Sequence, residues 1–201
     1  MFKAGALIFI LLLCLPGLLA AQDDPGRETD WDDFEFYLYA RGDRAFIVNA
    51  GLIFPMLFIR EGSNDTEGWR TMGGSFSLAY HYYLNPHLYI GGDLGVIFIP
   101  TRAANNVFMV PFGLRIGTQF IAGQFEFPIA ATLGFAWQRY LDLGYFGPFM
   151  KVTGSVLYRA TPSWAFGLTP SWYFMPQWTN NRAENVFGNF LELALTARHQ
   201  F

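Results

Sequence analysis

Cysteine is almost missing from the sequence: Cys14 is the single one, and it lies in an apolar N-terminal stretch. A chain that begins beyond it has neither thiol nor disulfide, which excludes a disulfide framework and thiol chemistry. Charge is scarce as well, at 14% of residues, and Lys and Arg form no cluster. That excludes the basic footprint of a nucleic-acid surface, so no nucleic-acid partner is assigned. Of the three histidines, His81, His87 and His199, none falls in a long polar segment. A general base in a loop is therefore excluded, and no catalytic residue is assigned. The histidines stand on different predicted strands, a spacing that does not read as a metal site, and no cofactor is implied. Long apolar runs are lacking too. Past the N-terminus none approaches the roughly 18 residues of a membrane helix.

The N-terminal stretch MFKAGALIFILLLCLPGLLAAQ combines Lys3, an apolar run from Leu7 to Leu15, a Pro16-Gly17 break and small residues at Ala20 and Ala21. It reads as a secretory signal peptide over residues 1–21, with a retained membrane anchor as the alternative. Leu13 before Cys14 does not fit a lipoprotein signal. The chain has 13 basic and 16 acidic residues, so loss of Lys3 with the signal leaves 12 against 16, a net charge of −4. Acids concentrate in QDDPGRETDWDDFE, and residues 22–43 read as an acidic periplasmic leader.

What the chain has in abundance is apolar surface, with 52% hydrophobic and 19% aromatic residues and 21 glycines. Without long runs, that surface must be carried by alternation. Period-two patterning appears in eight segments, 44–54, 72–84, 87–99, 106–120, 124–137, 145–159, 163–175 and 191–201. In the last, Leu191, Leu193, Leu195, Ala197, His199 and Phe201 share one face against Glu192, Ala194, Thr196, Arg198 and Gln200. In the sixth, Phe146, Met150, Val152, Val156 and Tyr158 oppose Lys151, Thr153 and Ser155. Three connections are tight and built on turn residues, at Asn85-Pro86, Ile121-Ala122-Gly123 and Thr161-Pro162. Four are longer and polar: REGSNDTEGWR, TRAANN, RYLDLG and PQWTNNRAEN.

Short turns on one side, longer loops on the other and an even strand count predict an all-β, eight-stranded antiparallel up-and-down transmembrane β-barrel over residues 44–201. Both chain ends then lie on the short-turn, periplasmic side. A soluble barrel of the lipocalin type would place apolar residues inside and polar ones outside. Here the outer face is nearly continuous Leu, Ile, Val and Phe. Its aromatics gather at the strand ends, Tyr82, Phe120, Phe125, Tyr158, Trp164 and Phe201 by the short turns and Trp137, Phe146, Trp172 and Phe174 towards the other side, as two interfacial girdles require. The segment FEFYLYA, residues 34–40, also alternates, and reads either as an extension of the first strand or as an extra periplasmic strand.

An eight-stranded barrel is only wide enough for side chains. On the inward faces, His81, Asp93, Arg115, Glu126, Lys151, Glu192 and Arg198 fall near the periplasmic end and middle, a mixed-sign plug able to neutralise itself. Towards the long loops the same faces carry Ile53, Ile97, Ile99, Met109, Phe149, Tyr173, Met175 and Phe190. These read either as an outward-opening pocket for a small hydrophobic molecule or as a core packed on itself. Four prolines, Pro111, Pro128, Pro148 and Pro170, interrupt strands where each removes a ladder donor. Pro148 and Pro170 occupy neighbouring strands, as a weak wall or as structural bulges. Arg41-Gly42-Asp43 spells an adhesion-like tripeptide, but it precedes the first strand at the periplasmic end and is read as chance.

A final amphipathic strand ending in Phe201 resembles the assembly signal of bacterial outer-membrane proteins. That resemblance implies the barrel insertion machinery and outer-membrane lipid as partners, and secretion to the outer membrane. The stretches GDRAFIVNAGLIF, AYHYYLNPHLYIGGDLG, VPFGLRIG and FPIAATLGFAW resemble the outer-membrane protein W group, with Asn49 where that group's pattern has a basic residue. The resemblance implies a narrow passage for small hydrophobic solutes with a lateral exit at Pro148 and Pro170. The other reading is a plugged structural or adhesive barrel that acts through its loops. No oligomeric state is assigned.

Overall fold

The computed structural model describes residues 39–60, 63–64, 71–100, 106–140, 143–178 and 185–201. The signal peptide, the leader up to residue 38 and the central residues of the four longer connections lie outside the described residues. Eight strands run as β1 Arg44–Arg60, β2 Gly73–Tyr83, β3 Leu88–Pro100, β4 Asn106–Ala122, β5 Phe125–Tyr140, β6 Leu143–Gly154 continued by Val156–Arg159, β7 Trp164–Gln177 and β8 Val186–Gln200. Each pairs antiparallel with the next, and β8 returns to pair with β1, so the sheet closes into a barrel. Ser63–Asn64 folds back onto the far end of β1.

Alternation places each residue as its chemistry requires. Leu52, Leu94, Leu114, Leu133, Leu168 and Leu193 point outward and are exposed, while polar residues such as Asn49, Ser77, Thr132 and Thr169 point inward and are buried. This is the inverse of a soluble barrel. At the short-turn end the start of β1 is tied to the end of β8. Arg44 N–H donates to the Phe201 carbonyl at 3.3 Å, and Phe201 N–H donates to the Arg44 carbonyl at 3.0 Å. The β4–β5 turn uses Gly123 at φ 58°, a left-handed conformation that costs glycine little.

Most boundaries differ from the predicted ones by a residue or two, and three departures have a physical reason. β1 continues to Arg60 past a bulge between Pro55 and Leu57, where one extra residue shifts the alternation and masks the strand's continuation from a period-two reading. β8 starts at Val186, because its ladder with β1 carries Phe190, Asn189 and Gly188 through a stretch of loop-like composition. The segment RYLDLG is not a long loop: β5 and β6 stay in register up to Tyr140 opposite Leu143. Short and long connections therefore alternate less strictly than the sequence suggests.

The most outward-facing leucine, Leu114, is 79% exposed near the middle of β4. Replacing it by Arg is expected to cost about 2–4 kcal/mol, measured by reversible urea unfolding in lipid vesicles, because a cation at mid-depth of the lipid face is poorly solvated. A cost near zero would mean that this face meets water.

Candidate functional site

The interior is stacked in three layers along the barrel axis. Furthest from the short turns, Ile53, Ile97, Ile99, Met109, Phe149, Tyr173, Met175 and Phe190 converge with Val107 and Ala136 in one buried cluster. None of the eight predicted side chains is more than 4% exposed, so in this state they pack against one another rather than line an open pocket. Phe149 and Tyr173 stack with ring centroids 6.4 Å apart. Tyr173 also joins this layer to the next. Its hydroxyl donates to Glu192 Oε2 at 3.0 Å, and Lys151 Nζ sits 4.8 Å from its ring centroid.

The middle layer is ionic. Asp93 Oδ2 accepts from Arg115 Nη1 at 3.0 Å and from Lys151 Nζ at 3.4 Å, and Lys151 Nζ also lies 3.6 Å from Glu192 Oε2. The mixed-sign residues read from the sequence thus meet as a chain that runs Arg115, Asp93, Lys151, Glu192. Burial makes such pairing obligatory, since an unpaired charge in this interior would lack both water and a counter-ion. A ladder of neutral side chains continues the layer: Asn49 Nδ2 donates to Ser77 Oγ at 3.0 Å, Thr196 Oγ1 donates to Asn49 Oδ1 at 2.7 Å, and Thr169 Oγ1 donates to Ser155 Oγ at 2.9 Å.

Glu126 and Arg198 do not join that chain. They form the centre of a third layer at the short-turn end, where Glu126 pairs with both Arg198 and Arg159. Tyr39 completes it. This residue precedes β1, yet it is 1% exposed. Its hydroxyl donates to Glu126 Oε2 at 3.0 Å and its ring stacks on Tyr83 at 4.2 Å. The guanidinium carbons of Arg159 and Arg198 stand 5.2 and 5.1 Å from its ring centroid. Tyr83 donates to Gln119 Oε1 at 3.0 Å, and Gln119 Nε2 donates to the Pro86 carbonyl at 3.3 Å, closing the floor against a turn. Gly117 leaves room for the Tyr89 ring, whose Cζ lies 2.4 Å from where a Cβ would stand.

A turn delivers Tyr39. Asp43 N–H donates to the Ala40 carbonyl at 3.2 Å, Ala40 N–H donates to Asp43 Oδ2 at 2.9 Å, and Gly42 takes φ 101° as such a turn requires. Asp43 also accepts from Gln200 Nε2 at 3.2 Å. The Arg41-Gly42-Asp43 tripeptide, whose likeness to an adhesion motif is read as chance, thus forms part of this turn, and Tyr39, within the segment 22–43 read as leader, buries its side chain in the barrel. In FEFYLYA, Tyr39 and Ala40 form no strand, and residues 34–38 lie outside the described residues. Sequence reasoning missed Tyr39 and Arg159. For Arg159 a signal existed, since it shares the inward parity of Lys151, Thr153 and Ser155. For Tyr39 there was none, because its role depends on a long-range contact.

The prolines mark the wall. β6 and β7 pair from Met150 opposite Phe174 to Thr153 opposite Ser171, and again from Val156 opposite Leu168 downward. The gap at Gly154 and Ser155 faces Pro170, which has no N–H to give. Above Met150, beside Pro148, the described residues of the two strands form no ladder pairs. There Tyr145 spans them: its hydroxyl lies 3.5 Å from the Pro176 carbonyl and accepts from Trp178 N–H at 2.9 Å. The ladder between β3 and β4 also skips, beside Pro111, but it resumes on both sides. Pro128 keeps its place opposite Gln119.

The floor should respond unequally to its two acceptors and donors. Glu126→Gln removes the counter-charge of two buried guanidiniums and is expected to destabilise the barrel by about 3–5 kcal/mol in urea unfolding. Tyr39→Phe removes one hydrogen bond to a carboxylate and is expected to cost about 1.5–3 kcal/mol. Equal and negligible costs would show that the floor is not assembled in the membrane.

A protein-family model matches residues 23–199. No curated protein matches the sequence. Among solved structures, the chain is similar to Neisserial surface protein A, with a TM-score of 0.60 and 14% identity over 80% of this chain and 97% of that one. It is also similar to the outer membrane protein OprG from Pseudomonas aeruginosa, with a TM-score of 0.51 and 10% identity over 82% of this chain and 98% of that one. At these identities the likeness speaks for the fold. The strand order, the apolar outside and these matches agree on the fold of the small eight-stranded outer-membrane β-barrels.

Proposed function

We propose that the barrel takes small hydrophobic molecules from the outer side into its apolar layer and releases them sideways into the membrane between β6 and β7. The observation that carries this reading is the coincidence of the apolar layer with the unladdered part of the wall. Phe149 and Met175 belong to the buried cluster, and they flank the point above Met150 and Phe174 where pairing stops. A guest that displaces these two side chains meets a wall without ladder pairs among the described residues, held there by the bonds of the Tyr145 hydroxyl to the Pro176 carbonyl and the Trp178 N–H. Transfer straight through is opposed, because the next layer down is a paired charge network that would have to be desolvated and split. Apolar cargo therefore has a lateral path and charged cargo has none. The resemblance to the outer-membrane protein W group implies the same direction of release.

In this reading the packed cluster is the resting state, and cargo substitutes for its contacts. Flux of a small apolar solute into vesicles carrying the refolded barrel should exceed that into empty vesicles, while a charged solute of similar size should show no excess. Phe149→Asp should abolish the apolar excess, with folded gel mobility as the control. The double variant Pro148→Ala, Pro170→Ala restores two ladder donors and should slow release. Equal flux from the double variant and the unmodified barrel would overturn the lateral path.

A further inference from the structure

We propose that a cavity at mid-barrel, between the ionic chain and the floor, is a binding site for a single small inorganic anion, chloride. The cavity measures about 10 Å³, room for one particle of roughly the size of a water molecule. Its wall combines hydrogen-bond donors with the apolar Ile47, Pro128 and Leu157. His81, Arg115 and Arg198 line it together with Asn49, Ser155 and Thr196, and no carboxylate does. Asp93 and Glu126, the nearest acids in the network, hold these two arginines by other atoms, Arg115 through Nη1 and Arg198 through Nη2.

Two groups at this cavity have unmet hydrogen-bonding capacity. His81 is 2% exposed, and neither ring nitrogen has a hydrogen-bond partner among the described residues. The Arg115 Nε is likewise without one. A buried donor without an acceptor costs about 1–3 kcal/mol, so two of them beside one cavity call for an acceptor inside it. His81 presents at least one N–H in every protonation state, and its ring is held in place by stacking on Tyr89 at 4.0 Å. A metal cation is disfavoured by two guanidiniums and the lack of a carboxylate ligand. Sulfate and phosphate are too large. A monovalent halide fits the volume and the sign, and its hydrogen bonds from Arg115 would be charge-assisted. The site is independent of the lateral path proposed above.

The test uses the refolded full-length barrel in detergent micelles. Its urea midpoint should rise progressively with sodium chloride relative to sodium gluconate at matched ionic strength, as mass action on a folded-state site requires. His81→Phe and Thr196→Val, on the two strands that flank β1, should each remove the chloride-specific part of that rise. Identical midpoints in the two salts would overturn the proposal and assign the cavity to water. So would a chloride effect that both variants retain. Should either variant fail to refold, crystals of the unmodified barrel grown in bromide decide. An anomalous peak within hydrogen-bond reach of His81 and Arg115 supports the site, and its absence overturns it.

Discussion

The ladder between β1 and β8 is the contact on which everything else depends. In hydrocarbon no water replaces a missing backbone partner, so an eight-stranded sheet with two open edges has no stable place there. Closing β8 on β1 removes both edges, and the bonds between Arg44 and Phe201 fasten the seam at its end. Closure also fixes the bore. With eight strands the interior has space for side chains alone. Whatever faces inward must then be satisfied by its neighbours, and the three layers follow from that demand.

The layers differ in how they meet it. The charged side chains pair across the bore, Asp93 with Arg115 and Lys151, Glu192 with Lys151, Glu126 with Arg159 and Arg198. Replacing one partner leaves a buried charge, which is why this part of the barrel is fixed in place. The apolar layer has no such constraint. Its contacts are non-directional and can be exchanged for those of a guest at small cost. In the proposed reading, one protein interior combines a rigid seal with an adaptable apolar layer, beside which the wall lacks ladder pairs among the described residues.

Much of this was legible in the sequence because lipid on one side and a narrow polar interior on the other enforce period two on every strand. Leu114 outward and Arg115 inward can be read without coordinates, and so can the division between Lys151 and Phe149. Legibility failed where something other than alternation decides. Met56 enters a bulge, so the continuation of β1 falls out of phase. RYLDLG has loop composition, but its flanks are held as strand by the register between β5 and β6. Tyr39 follows an acidic leader with no local sign of burial. Its place is set by Gly42, Asp43 and Glu126, the last 87 residues away in sequence. Whether the apolar side chains leave a pocket or fill it was likewise invisible, since parity assigns a face and not a packing.

The central claim is that the charged layer and the Tyr39 floor seal the bore, so that only the upper layer is open to cargo. Conductance of the purified barrel in a planar lipid bilayer tests it most directly. The expected result is no stepwise ionic current at moderate voltage, because ions meet a paired network with no continuous water path. Stable, ohmic conductance steps from the unmodified protein would contradict the claim and require an aqueous path through the charged layer.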